Sequence, residues 1–175
     1  NNQSVFLGHA RLSIIDLSES SNQPMCSSDN RYVIVYNGEL YNYRDLKLEL
    51  QRVAHGSGNL PYFFRTNSDT EVVLAAYQRW DVECLSKFNG MYAFALYDTV
   101  EHVLFIARDR VGIKPLYYSY KDDQLTFASE IRPVLSSGRV ERKLNRDVIS
   151  EYFSYQTVHA PNTIIKDVKM LMPGH

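Results

Sequence analysis

The chain predicts a layered α+β fold, and three observations predict it: strand-length apolar runs dominate, two of those runs are apolar at successive positions, and few stretches repeat with helical period. Runs bounded by turn residues place strands at 5–14, 32–36, 91–97, 102–107, 116–120 and 124–128. Tyr92-Ala93-Phe94-Ala95-Leu96-Tyr97 and Val103-Leu104-Phe105-Ile106-Ala107 do not alternate, so both faces of those strands need cover. The segment Tyr97-Asp98-Thr99-Val100-Glu101-His102 joins them as an antiparallel hairpin. Two mostly antiparallel sheets packed together between helical layers satisfy this pattern.

Two helices carry start signals. In Ser68-Asp69-Thr70-Glu71 the serine can cap and the glutamate can reach back, a capping box, and Val72, Val73, Ala76 and Tyr77 recur behind it to about Trp80. Residues 43–54 place Leu46, Leu50 and Val53 on one stripe. Shorter helices are predicted at 131–135 and 145–155. Residues 55–61, with Gly56 and Gly58, read as a surface loop. No repeat, low-complexity tract or linker divides the chain, so one domain is expected over 1–175.

At 175 residues the chain is long enough to bury a core, with 45% hydrophobic residues, 22% charged, 13 Tyr and 8 Phe. A net charge of −1 without a Lys/Arg run argues against nucleic acid or an acidic membrane surface as partner. Two cysteines, Cys26 and Cys84, give no disulfide framework, which fits a reducing cytoplasm. No apolar run approaches the ~20 residues of a membrane helix. The five histidines lack metal-ligand spacing, and there is no phosphate loop or Gly-x-Ser-x-Gly elbow, so neither metal nor cofactor is expected here. Both ends read as cut: the chain opens almost directly into a strand pattern and stops at Met172-Pro173-Gly174-His175, the lead-in to another strand.

Ordered blocks run along nearly the whole chain. Arg11-Leu12-Ser13-Ile14-Ile15-Asp16, Gln23-Pro24-Met25, Asn37-Gly38-Glu39-Leu40-Tyr41-Asn42-Tyr43 and Ser68-Asp69-Thr70-Glu71 come first. Asn89-Gly90-Met91-Tyr92-Ala93-Phe94-Ala95-Leu96-Tyr97-Asp98, Arg108-Asp109-Arg110-Val111-Gly112-Ile113-Lys114-Pro115-Leu116-Tyr117-Tyr118, Ala128-Ser129-Glu130-Ile131 and Pro173-Gly174-His175 follow. Together they resemble the glutaminase domain of the asparagine synthetase type of class II glutamine amidotransferase. The resemblance implies an N-terminal nucleophile hydrolase fold, a four-layer αββα sandwich. It further implies a parent enzyme that hydrolyses glutamine and passes ammonia to a C-terminal synthetase domain using ATP and magnesium. That second domain is not in the sequence, and homodimerisation is implied by the resemblance alone.

By the same resemblance Arg11, Leu12, Ile14, Asn37, Gly38, Glu39 and Asp69 fall at glutamine-pocket positions. Amide hydrolysis develops negative charge on an oxygen, and the Asn37 side chain with the Gly38 backbone N–H can supply donors to it, the oxyanion role. An Asn-Gly pair after a strand is, by itself, most often a hairpin turn. Glutamine is a zwitterion: Arg11 suits its carboxylate, Glu39 and Asp69 its ammonium. Asp69 also suits an early helix position on dipole grounds. The Arg108-Asp109-Arg110 block stabilises the core or shapes a passage to a second domain, and the core reading is preferred.

The family attacks with an N-terminal cysteine whose free amine accepts the thiol proton, whereas this sequence begins Asn1-Asn2-Gln3. Cys26 lies inside the chain without a free α-amine, and Cys84 reads as a packing residue. The chain as given is therefore expected to be inactive, with an opening segment absent. The 55–61 loop is longer than is usual in the family, and Asp81 stands where glycine is common. Two other readings stay open: a scaffold or binding module that has lost its cysteine, and an amidotransferase acting on a sugar or cell-surface substrate.

Overall fold

The computed structural model describes residues 4–10, 15–16, 18–52 and 60–175. Their contacts fall into two compact units, Asn1–Ile106 and Ala107–His175. The first unit is built on a four-stranded sheet in the order β1-β2-β3-β4, comprising β1 (Met25–Cys26), β2 (Tyr32–Leu40), β3 (Gly90–Asp98) and β4 (Val103–Arg108). β2 and β3 run antiparallel in unbroken register from Tyr32↔Asp98 to Leu40↔Gly90. Ala93, Phe94, Ala95 and Leu96 are buried in succession, so both faces of β3 are covered, as the apolar run required. The expected hairpin closes on Asp98, whose carboxylate accepts from the Val100 and Glu101 N–H groups at 2.8 and 3.1 Å and from Arg31.

β2 runs four residues beyond the predicted 32–36. Where a strand was predicted at 5–14, residues 4–10 have no regular structure, with Phe6 exposed, and residues 11–14 lie outside the described residues. β1 and the short helix α3 (Cys84–Lys87) escape the pattern because two and four residues carry no period.

Helix α1 (Tyr43–Gln51) buries Leu46 and Leu50; Val53 lies outside the described residues. Asn42 does not cap it. Its side chain instead donates to Lys87 C=O and accepts from Asn89 N–H, at 2.9 and 3.0 Å, tying the end of β2 to the start of β3. Helix α2 (Asp69–Trp80) is buried continuously from Asp69 to Ala76, an enclosed helix rather than a one-faced one. The capping box forms in a displaced version. Ser68 Oγ accepts from Thr70 N–H at 3.2 Å, while the fully buried Glu71 passes over Ser68 to accept from Arg65 N–H and Thr66 N–H at 2.9 and 2.7 Å. Helix α2 ends at Asp81, with φ 50° and ψ −142°. A side chain there costs of order 1–3 kcal/mol relative to glycine, the residue the family resemblance expected.

The second unit carries a three-stranded antiparallel sheet in the order β6-β5-β7, formed by β5 (Tyr117–Lys121), β6 (Gln124–Ala128) and β7 (Lys169–Met170). Helix α4 (Ile131–Ser136) covers it, with Val134, Val140 and Val168 at the centre of the core. The predicted 145–155 helix is a 3-10 turn, Arg146–Val148, capped by Asn145 and running into α5 (Ile149–Tyr155).

Arg108 and Asp109 fasten this unit's loop. The guanidinium donates to the carbonyls of Lys114, Leu171 and Gly112 at 2.7, 2.5 and 2.6 Å. The Asp109 carboxylate accepts the N–H groups of Val111, Ile113 and Lys114 at 3.1, 2.9 and 3.0 Å. Both side chains are buried, which supports the core-stabilising reading for Arg108 and Asp109, while Arg110 of the same block is exposed. Among the described residues no helix is long and apolar enough to cross a membrane.

Candidate functional site

Asn37 and Gly38 are not a turn; they sit within β2, opposite Ala93 and Tyr92. Two cross-strand contacts explain the glycines at this end of the sheet. A Cβ on Gly38 would stand 2.4 Å from Met91 O, and one on Gly90 would stand 2.3 Å from Glu39 O. The strands approach too closely there for side chains between them.

Strand alternation then decides which way each backbone group faces. Tyr36 N–H and Leu40 N–H both leave the β2–β3 ladder, the first to Gln23 Oε1 at 2.6 Å, the second to Asp69 Oδ2 at 3.0 Å. In an unbroken antiparallel register, residues two apart direct their backbone groups to the same side. Gly38, midway between them, therefore points its N–H to the same open edge of β2. Side chains alternate likewise: Tyr36 and Leu40 turn to one face, Asn37 and Glu39 to the other.

Asp69, at the first position of α2, accepts from both Leu40 N–H and Tyr36 Oη, the latter at 3.2 Å. Of the predicted site residues, the structure places Asn37, Gly38 and Glu39 in succession on β2 and sets the Asp69 carboxylate against the next residue, Leu40, while Asn37 and Glu39 turn to the face opposite Tyr36. Arg11, Leu12 and Ile14 lie outside the described residues. Sequence reasoning missed Gln23 and Tyr36 as supports of this edge. The only signal was that Gln23-Pro24-Met25 formed a recognisable block with no role attached.

Burial raises the Asp69 carboxyl above its ordinary pKa, and the hydrogen bonds from Leu40 and Tyr36 only partly oppose it. Burial, with the Asp69 charge beside it, holds the Tyr36 hydroxyl well above its usual range. Because the folded Asp69 binds its proton more tightly than the unfolded chain does, its contribution to stability is present below the unfolded pKa and is lost as pH rises through the raised folded value. Asp69→Asn is expected to remove that loss. Urea midpoints measured from pH 4 to pH 7 would show the variant gaining on wild type as pH rises; parallel curves would refute it.

Neither thiol serves this edge. Cys84 is fully buried and its thiol is pushed up to about 12 by burial. Cys26 is exposed and pairs opposite Val33. At about 3.4 Å per residue that lies roughly 17 Å along the strand from Gly38. It borders a cavity of about 260 Å³ shared with Ser20, Asn22, Pro24, Met25 and Arg65.

Two antiparallel sheets with their helices define an α+β domain of the N-terminal nucleophile hydrolase class. The chain belongs to the glutamine amidotransferase domain family, which it matches over residues 1–175. It is 42% identical over 174 residues, 99% of this chain, to asparagine synthetase (glutamine-hydrolyzing) 1 of Bacillus subtilis strain 168. It is 38% identical over 174 residues, 98% of this chain, to asparagine synthetase (glutamine-hydrolyzing) 3 of the same organism. Among solved structures, it resembles the glutamine phosphoribosylpyrophosphate amidotransferase of B. subtilis with a TM-score of 0.58 and 27% identity, over 74% of this chain and 28% of that one. The chain spans about a quarter of the two synthetases it matches, 26% and 27% of their lengths.

Proposed function

We propose that this domain binds glutamine at the open edge of β2 and serves hydrolysis of the side-chain amide, releasing glutamate and ammonia for a synthetase domain of the same polypeptide. The observation that carries the reading is the Gly38 N–H directed to an open strand edge beside the Asp69 carboxylate. In this reading Gly38 N–H and the Asn37 amide stabilise the oxyanion, each donor worth on the order of 3 to 4 kcal/mol in the transition state. Glu39 and Asp69 face the ammonium, Arg11 the carboxylate, and Leu12 and Ile14 complete the wall. Hydrolysis at this site needs no cofactor; ATP and magnesium belong to the synthetase step, whose product by the relatives' names is asparagine.

The chemistry requires a thiolate next to a base, and neither Cys26 nor Cys84 is placed for it. Residues 1–175 expressed alone are expected to bind L-glutamine, seen by isothermal titration, without releasing glutamate. Measurable glutamate release would overturn the assignment of the nucleophile, and absence of glutamine binding would overturn the site.

A further inference from the structure

β1 pairs with β2 only at Ile34 and Val33, yet the edge beyond is not bare. Gln23 sets its side-chain amide against Tyr36 as a neighbouring strand would, accepting from Tyr36 N–H at 2.6 Å and donating to Tyr36 C=O at 3.1 Å. The same Nε2 lies 3.4 Å from Thr70 Oγ1, which joins this mimic of a strand to the second residue of α2. At the other side of Gly38, the Asp69 carboxylate takes Leu40 N–H. Among the described residues, the edge is thus occupied at Tyr36 and Leu40 and carries no partner at Gly38.

We propose that Gln23 is a positioning residue for the Gly38 N–H, acting through Tyr36; this rests on reading that N–H as an oxyanion donor. A longer β1 would also hold Tyr36, but its next rung would cover Gly38 and consume the donor. One primary amide supplies a donor and an acceptor for a single rung and ends there. An unpaired edge would leave Gly38 free to drift, whereas a donor to a developing charge has to be held within about 0.5 Å of its place. Gln23 fixes the rung before Gly38, and Asp69 fixes the rung after it. In that reading Asp69 faces the glutamine ammonium and so affects the ligand directly, whereas Gln23 acts only through the strand.

Backbone amide hydrogen exchange of the 175-residue chain, followed by NMR with and without saturating L-glutamine, tests this. In wild type the Tyr36 and Leu40 amides exchange slowly and Gly38 quickly, and glutamine slows Gly38 by about tenfold or more. Two variants are compared: Gln23→Ala, and the near-isosteric Gln23→Glu, which keeps an acceptor but loses the donor to Tyr36 C=O. In both, glutamine still binds and Leu40 stays protected, but the slowing at Gly38 falls to about twofold or less. Were Gln23→Ala to unfold, Gln23→Glu and the wild-type pattern still decide. A purely structural Gln23 would lower stability and leave the glutamine-dependent slowing at Gly38 at its wild-type value, which overturns the proposal. A wild-type Gly38 amide as slow as Leu40 before glutamine is added overturns it too. Should glutamine bind nowhere on the wild-type chain, the glutaminase reading falls and the role of Gln23 falls with it.

Discussion

Asp109→Ala is expected to destabilise the Ala107–His175 unit by about 3 to 5 kcal/mol, because three hydrogen bonds to one buried carboxylate are lost at once, each worth about 1.5–3 kcal/mol, and the exposure of Val111 and Ile113 lets water recover part of that loss. The side chain is 1% exposed and binds Val111, Ile113 and Lys114 N–H. It thereby holds the loop into which Arg108 also donates at Gly112 and Lys114. Loss of the carboxylate also removes the negative charge that strengthens these three hydrogen bonds. Asp109→Asn separates the two contributions. Its one oxygen can still serve Val111 and Ile113, as Asp109 Oδ1 does, but its NH2 then meets Lys114 N–H donor to donor. Roughly half the loss is expected for Asn, on the same cost per donor. Urea unfolding measures both. An Asp109→Ala midpoint within error of wild type would show that water satisfies these donors and that the loop is not fastened as described.

That loop also shows what a sequence discloses. Arg108-Asp109-Arg110 was recognisable as a block, and a core role was preferred, but the acceptors of Arg108 include Leu171, far along the chain. β3 was legible because burial on both faces writes itself into consecutive apolar residues, whereas β4 was legible from the same kind of run although its expected double cover is incomplete, with Val103 exposed and Leu104, Phe105 and Ile106 half-buried. β1 and β7, two residues each, were not, since their existence depends on the partner strand rather than on their own period. The same limit applies at the site. Asn37, Gly38, Glu39 and Asp69 could be named from the blocks, but an Asn-Gly pair reads locally as a turn, and only the register against Tyr92 and Ala93 makes it strand. Glu71 was seen as a helix-start residue, yet its carboxylate serves the loop before Ser68. Gln23 was invisible as a support because nothing local says that a glutamine side chain will stand in for a missing strand.

Gly38→Ala is expected to cost about 3 kcal/mol or more, at or above the upper end of ordinary overpacking. The added methyl would lie 2.4 Å from Met91 O, 2.8 Å from Tyr92 Cα and 2.9 Å from Tyr92 Cβ. The first two are backbone atoms, so no rotamer change relieves the clash; β2 and β3 must separate. Separation spreads along a continuous register and moves Glu39 and Leu40, whose N–H Asp69 holds. Glutamine binding is therefore expected to be lost together with stability, although a methyl on Gly38 removes no hydrogen-bonding group. Gly8→Ala is the control, with nothing within 4 Å of its added Cβ, and is expected to change stability by less than about 0.5 kcal/mol. Thermal unfolding and glutamine titration of the two variants decide the matter. If Gly38→Ala kept both the wild-type melting temperature and wild-type glutamine affinity, the close approach of β2 and β3 would not be what shapes this edge, and the register that points the Gly38 N–H outward would lose its support.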